Sequence, residues 1–513
     1  MFKTAFGRLL VFCFLAGQML VGSGVKAAEE SNHYKNIDDY LQAQMKQQSI
    51  AGLSYAIVKN HKIVHENAFG QADLGRPMTP ETPVRLASLS KSFTALAVMQ
   101  LVEQGKVKLD EPVKTYIPWF KVDDKDASSR ITIRNLLNQV SGLSGDVEMQ
   151  LENELSGISM ADTVRLLKKV KLTNPVGSKF QYTDFNYVIL GMVVQIVSGE
   201  HFDQYIQKHI LTPIGMKNSF TSMADAKKHG LSKSFAPWFG LLLPTKTEMD
   251  DMPNFLASGN MTSSVDDMGN YLLAYMDGGK TDHGQILSGA GIKELQQPSS
   301  AATMSRNGKF FAQYAMGWWS RNVQGVPVVG HAGDLLSTCR TDMYILPEQK
   351  TGIVILSNTH TGSLAPGNLH VSTDGVISLL AGKQPKQNNN GSKYARYYFI
   401  VDTVVLLFLL VVIRSYWNLR KWKKTFTRTV HYKKTSALLL GIQFLGPILM
   451  TVLSPNLFHF PSWSFLFCVQ PDLVSSLLVI LSAICALAVI KITIAVLHLI
   501  SEGQYRNSGK RTY

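Results

Sequence analysis

Ser88 and Lys91 stand three residues apart at the start of an apolar stretch, Ala87–Gln104. On a helix that spacing puts a hydroxyl and an amine on one face. Leu89, Phe93, Ala95, Leu96, Ala97, Val98, Leu101 and Val102 surround the stretch on nearly every side, the pattern of a buried core helix. A lysine opening a buried helix is costly unless it has a partner or a task. A serine there has free backbone N–H groups beside it and the positive end of the helix dipole beneath it. Hydroxyl, neighbouring amine and donors for a developing oxyanion are the parts of an activated nucleophile. The same two residues also read as an N-cap and a surface lysine, so the pair alone does not decide. A second candidate is Tyr182, in the polar and aromatic run Phe180–Tyr187 that opens an apolar helix over Val188–Val197. A third is Gly330-His331-Ala332-Gly333, where small residues permit close backbone approach at a strand end.

These residues need a scaffold. Gly52–Val58 and Ile63–Phe69 flank Lys59-Asn60-His61-Lys62 and predict an antiparallel hairpin. Apolar segments near 326–331, 342–346 and 352–357 predict further strands, and the sequence between the two groups is mostly helical. Strands from both chain ends with helices between them predict an α+β domain with one sheet assembled from both ends. Lys350-Thr351-Gly352 follows Pro347-Glu348-Gln349 and precedes the run Ile353–Leu356, which predicts a turn between strands. His61 and His65 lie four apart on a hairpin, not a helix, so no metal or other cofactor is expected.

The 513 residues carry 51 Lys+Arg and 37 Asp+Glu, a net charge of +14. Residues 391–513 hold 14 basic and 3 acidic residues, and residues 1–28 contribute Lys3, Arg8 and Lys26. The stretch 29–390 holds 34 of each sign and is neutral. Charge confined to two apolar ends argues against a nucleic-acid partner. The hydrophobic content of 45 % excludes disorder, and four cysteines exclude a disulfide scaffold.

Residues 1–28 have the positive start, apolar run and small-residue end of a secretory signal. Its removal leaves Cys339 as the one cysteine of the exported part, 29–380. Residues 381–396, rich in Gln and Asn, are expected to form a linker. Tyr398–Ile413, Ser436–Leu453 and Leu473–Ile490 are each long enough to cross a membrane, which predicts an all-α three-helix membrane domain over 397–513. Arg414, Arg420, Lys421, Lys423, Lys424, Arg428, Lys433 and Lys434 separate the first two runs with no acid among them. That loop is expected to be cytoplasmic, with the exported domain outside and the C-terminus inside. Membrane lipid is the partner this implies.

Along Ile50–Ala381 come, in order, ASLSK at 87–91, LLNQVSGL at 136–143, YTDFNYVILG at 182–191, PIGM at 213–216, GW at 317–318, GHAG at 330–333 and LPEQKTGIVILSN at 346–358. This set resembles the class C β-lactamase and penicillin-binding-protein family of serine hydrolases. The resemblance implies an antiparallel sheet flanked by helices, with a helical subdomain and the cleft between. It implies Ser88 as nucleophile, Lys91 as its partner and Tyr182 as the acid/base serving the leaving group. His331 and Gly333 take the place of the third motif, and the N–H groups of Ser88 and Asp334 that of the oxyanion hole. Asp184 departs from the family's usual asparagine: an ionised Asp cannot donate a hydrogen bond to a substrate amide and works against Lys91 as base. With Asp334 it is expected to select a substrate unlike penicillin, one carrying a positive or amide-rich group. With its membrane tail the chain resembles peptidases that remove an N-acyl-D-asparagine cap from non-ribosomal peptides, and also cell-wall-associated staphylococcal proteins. The expected reaction is acyl transfer from a small-molecule or peptide substrate to Ser88, then hydrolysis. The alternatives are a cell-wall D-amino-acid esterase or carboxypeptidase, a β-lactamase, and a non-hydrolytic binding or sensor protein.

Overall fold

The computed structural model of the chain describes residues 32–151, 154–238, 241–245, 252–306, 309–335, 338–360, 369–386, 390–426, 442–449 and 471–508. The expected signal, 1–28, and most of the second expected span, Ser436–Leu453, lie outside these residues. By its internal contacts the chain falls into two units, one built mainly from the residues before 389 and the other mainly from those after.

The first unit is organised on one sheet. Its strands are β1 (Gly52–Lys59), β2 (Lys62–Asp73), β3 (Arg76–Pro77), β4 (Thr303–Arg306), β5 (Lys309–Ala315), β6 (Trp318–Val323), β7 (Val326–Leu335), β8 (Cys339–Leu346) and β9 (Thr351–Ser357). They lie side by side in the order β4-β5-β6-β7-β8-β9-β1-β2-β3. The β1–β2 connection is tight because Asn60 (φ 53°) and His61 (φ 63°) both take the left-handed conformation that a two-residue hairpin turn requires. The sheet closes where the chain ends meet: β1 pairs antiparallel with β9 from Leu53↔Ser357 to Lys59↔Thr351. Lys350 (φ 47°) sits in the β8–β9 turn, and Thr351 and Gly352 open strand β9, paired with β8 and β1.

Strand alternation sends side chains to two cores. On one face Tyr55, Ile57, Ile353 and Ile355 pack with Ile37, Leu41 and Met45 of a helix over residues 32–48, and with Val376 and Ile377 of the helix Leu369–Leu380. On the other face Ala56, Val58, Met343, Val354 and Leu356 join the large core of the helical region. At its centre are three helices, α1 (Ser90–Glu103), α2 (Asp184–Ser198) and α3 (Val265–Met276). Helix α1 is buried all round from Ser90 to Leu101, as its unbroken apolar sequence requires.

The second unit holds helices α4 (Asn390–Trp417) and α5 (Pro471–Ser508). Within them Arg396–Trp417 and Val474–His498 are long and apolar enough to cross a membrane. They touch, the Tyr416 hydroxyl donating to Ala483 O at 3.3 Å. Helix α4 begins at Asn390, inside the stretch 381–396 that composition reads as linker.

Candidate active site

Ser88 lies in a 3₁₀ turn, Ala87–Leu89, that runs into α1. Ala87 has φ 48°, an uncommon conformation for a residue with a side chain, so the backbone is strained one residue before the serine. Four bonds hold this turn. Ser90 Oγ donates to Ala87 O at 2.8 Å and accepts from Met261 N at 3.2 Å. Leu86 N donates to Met261 O at 2.9 Å, and Thr341 Oγ1 on β8 donates to Leu86 O at 2.8 Å. Ser88 is half-buried while its neighbours are buried.

Lys91 is fully buried. Its Nζ donates to Ser88 Oγ at 3.1 Å, to Ser258 O at 2.9 Å and to Asp184 Oδ1, with which it forms an ion pair. Three acceptors match the three donors of an ammonium. The tyrosine ring of Tyr182 lies against the same nitrogen, 4.7 Å from Nζ to the ring centroid. A cation over a ring face is attracted by its quadrupole. The structure thus brings Ser88, Lys91, Tyr182 and Asp184 together.

Tyr182 is placed by a loop that Gln139 anchors. Gln139 is buried at φ 58°. Its Nε2 donates to Thr183 O at 3.1 Å, its Oε1 accepts from Thr183 N at 3.2 Å, and its carbonyl accepts from Gln181 N at 2.8 Å. The LLNQVSGL motif therefore acts on Tyr182 through Gln139. Asn186 does not stand in for the family's asparagine: it is fully buried and bonded to Ser141 and Gln139.

His331, Gly333 and Asp334 come from β7. Strand β6 pairs with β7 from Val323↔Val326 to Trp319↔Gly330, whereas β8 pairs on to Leu335↔Cys339. The 331–335 segment therefore extends beyond the strand that covers its outer edge. Gly333 passes hard against the nucleophile turn: a Cβ there would lie 2.1 Å from Thr341 Oγ1, 2.3 Å from Leu86 O and 3.2 Å from Ala87 Cβ. This brings the strand's backbone beside Ser88. His331 is buried, with Nδ1 2.7 Å from Ala332 O and Nε2 3.2 Å from the Tyr314 hydroxyl. A carbonyl only accepts, so Nδ1 carries the proton; the single Tyr314 hydroxyl proton is shared between Nε2 of a neutral ring and the Tyr187 hydroxyl 3.4 Å away, whose own proton goes to Leu137 O. Burial, and secondarily the nearby Tyr182, pushes the Tyr314 phenol far above its ordinary range, so it stays a donor. Tyr314 is absent from the motifs singled out in the sequence; its signal is visible only once β5 lies near β7.

Asp334 Oδ2 accepts from Arg340 Nη2 at 2.8 Å, and Oδ1 accepts from His360 Nε2 at 2.6 Å. Asp184 is paired with Lys91. Both carboxylates thus have basic partners within the protein while staying partly exposed.

The beta-lactamase family pattern matches residues 37–371, spanning the whole of this arrangement. The chain belongs to the beta-lactamase family. Within this family of serine hydrolases it is 28 % identical over 334 residues to Protein flp of Staphylococcus aureus strain MW2. That match covers 64 % of this chain and 63 % of the relative's length. Penicillin-binding protein 4 of Amycolatopsis lactamdurans is 26 % identical over 273 residues, 53 % of this chain and 71 % of that protein. Among solved structures, the octameric penicillin-binding protein homologue from Pyrococcus abyssi superposes with a TM-score of 0.59 at 26 % identity, covering 69 % of this chain and 78 % of that one. EstCE1, a hydrolase with promiscuous acyltransferase activity, shares the fold with a TM-score of 0.55 at 23 % identity, over 64 % and 94 % of the two chains.

Proposed function

We propose that this beta-lactamase-family chain is a membrane-anchored serine hydrolase that opens peptide amide bonds through an acyl-enzyme on Ser88. The observation that carries the reading is the 3.1 Å contact between Lys91 Nζ and Ser88 Oγ. Ser88 Oγ attacks the carbonyl carbon. Its proton passes through the Tyr182 hydroxyl to the leaving nitrogen, and the C–N bond breaks. Water then cleaves the ester and regenerates the serine. Lys91, paired with Asp184, acts as a fixed positive charge beside the developing serine alkoxide rather than as the free base. The N–H groups of Ser88 and Asp334 receive the carbonyl oxygen.

The substrate class is a peptide bearing a D-amino acid at the cleaved bond, including an N-acyl-D-amino-acid cap. The apolar segments Arg396–Trp417 and Val474–His498 support the anchor, with the Ser88 domain outside the cytoplasm. The test is a panel of N-acyl-D-amino-acid amides, the matching esters and a β-lactam, assayed with the full chain in lipid nanodiscs. Amide cleavage abolished by Ser88→Ala supports the reading. Turnover of esters alone replaces it with an esterase, and binding without turnover of any member replaces it with a binding protein.

A further inference from the structure

From Tyr182 a run of aromatic rings leads away from the reacting groups, and beyond Tyr182 the chemistry above does not use it. The Tyr182 ring stands 6.1 Å from Tyr314 and 6.3 Å from His331, centroid to centroid. Tyr314 meets Trp319 edge to face at 4.7 Å, and Trp319 meets Phe180 edge to face at 5.2 Å. Trp319 also lies 6.4 Å from His331. Tyr314 and His331 are buried, but Phe180, Tyr182 and Trp319 are each half-buried. The half-buried rings keep part of their surface open, where a further aromatic group can pack.

The position of this run follows from the site. The carbonyl oxygen is received between Ser88 and Asp334. Tyr182, which protonates the leaving group, lies instead on the His331 side. Trp319 pairs with Gly330, where the cover of β6 on β7 ends, and so stands at the His331 end of the exposed segment. A leaving group departing past Tyr182 runs toward Trp319 and Phe180. Charge does not oppose an apolar occupant, because Asp184 and Asp334 are both paired with basic side chains.

We propose that Phe180 and Trp319 form a leaving-group subsite for an aromatic ring, so that the preferred substrates release an arylalkyl amine or an aromatic amino acid. The inference rests on the reading of Ser88 and Tyr182 above. Added aromatic contacts of this kind are worth roughly three- to tenfold in affinity.

The experiment compares N-acetyl-D-alanine benzylamide with its methylamide, which share one acyl-enzyme and differ in the leaving amine. The full chain in nanodiscs should favour the benzylamide in kcat/KM. Trp319→Leu and Phe180→Leu should each lower the benzyl-to-methyl ratio roughly three- to tenfold. A ratio cancels any loss of folded protein, so an unchanged ratio in both variants overturns the proposal. Calorimetric titration of the Ser88→Ala chain with the same two amides separates the subsite from the chemistry. Tighter benzylamide binding, lost in Ser88→Ala/Trp319→Leu, upholds the subsite even if the wild-type chain cleaves neither amide, in which case the hydrolase reading fails alone. Equal binding of the two amides overturns the subsite whatever the turnover.

Discussion

Gly333→Ala adds one methyl group where β7 crosses the nucleophile turn. The new Cβ would stand 2.1 Å from Thr341 Oγ1 and 2.3 Å from Leu86 O. Comfortable non-bonded contacts lie near ~3.5 Å, so strand and turn must separate by about 1 Å. The oxygen of Leu86 is backbone and cannot rotate away, and it is already bonded to Thr341 Oγ1 at 2.8 Å. Overpacking of this kind costs about 1–3 kcal/mol. The larger effect falls on chemistry, since Ser88 is two residues from Leu86 and a displacement of about 1 Å costs roughly 100-fold in rate. The assay is the rate at which a fluorescent phosphonate labels the full chain, read beside thermal unfolding. Labelling should slow roughly 100-fold in the fraction that remains folded. Adding Thr341→Ala removes one clash but leaves Leu86 O in place, so the double variant should stay impaired. Labelling of Gly333→Ala at the wild-type rate would refute the claim that this contact positions the serine.

Asp184→Asn keeps an acceptor for Lys91 but removes the counter-charge of a buried ammonium. A broken buried pair costs about 3–5 kcal/mol; with Asp184 25 % exposed, a loss of about 1–3 kcal/mol in denaturant unfolding is expected, and unchanged stability would show the pair to be unimportant. His331→Ala should slow labelling severalfold while Lys350→Ala leaves it intact, because His331 lies beside Tyr182 and Tyr314 and Lys350 occupies a turn; the opposite result would return the third motif to Lys350. Burial pushes the Cys339 thiol up to about 12, so at pH 8 iodoacetamide should spare it in the folded chain and modify it after unfolding. Rapid alkylation of the folded chain would contradict the packing of β8.

The sequence exposed those parts of the fold whose causes are local. The buried helix behind Ser88 follows from unbroken apolar residues, and the β1–β2 hairpin from its turn. Strands β4–β6 were not anticipated, because Gln313, Ser320, Arg321 and Asn322 interrupt their apolar pattern and sheet pairing supplies what the pattern lacks. At the site, Ser88, Lys91, Tyr182 and His331 were visible through spacing and resemblance. Gln139 lay inside a recognised motif, yet its action on Tyr182 depends on a left-handed backbone that no side-chain pattern announces. The neutralisation of Asp334 was hidden for another reason. Arg340 reaches it across a strand pair and His360 from beyond the next strand, so only the assembled sheet brings them together.

Everything proposed for the chemistry depends on Ser88 being the residue acylated. Incubating the full chain with a β-lactam or an activated N-acyl-D-alanine ester, quenching in acid and mapping the adduct by peptide mass spectrometry tests it directly. The acyl mass is expected on the peptide containing Ser88, fragmenting to that serine and absent from Ser88→Ala. An adduct on any other residue, or one that persists in Ser88→Ala, would contradict it.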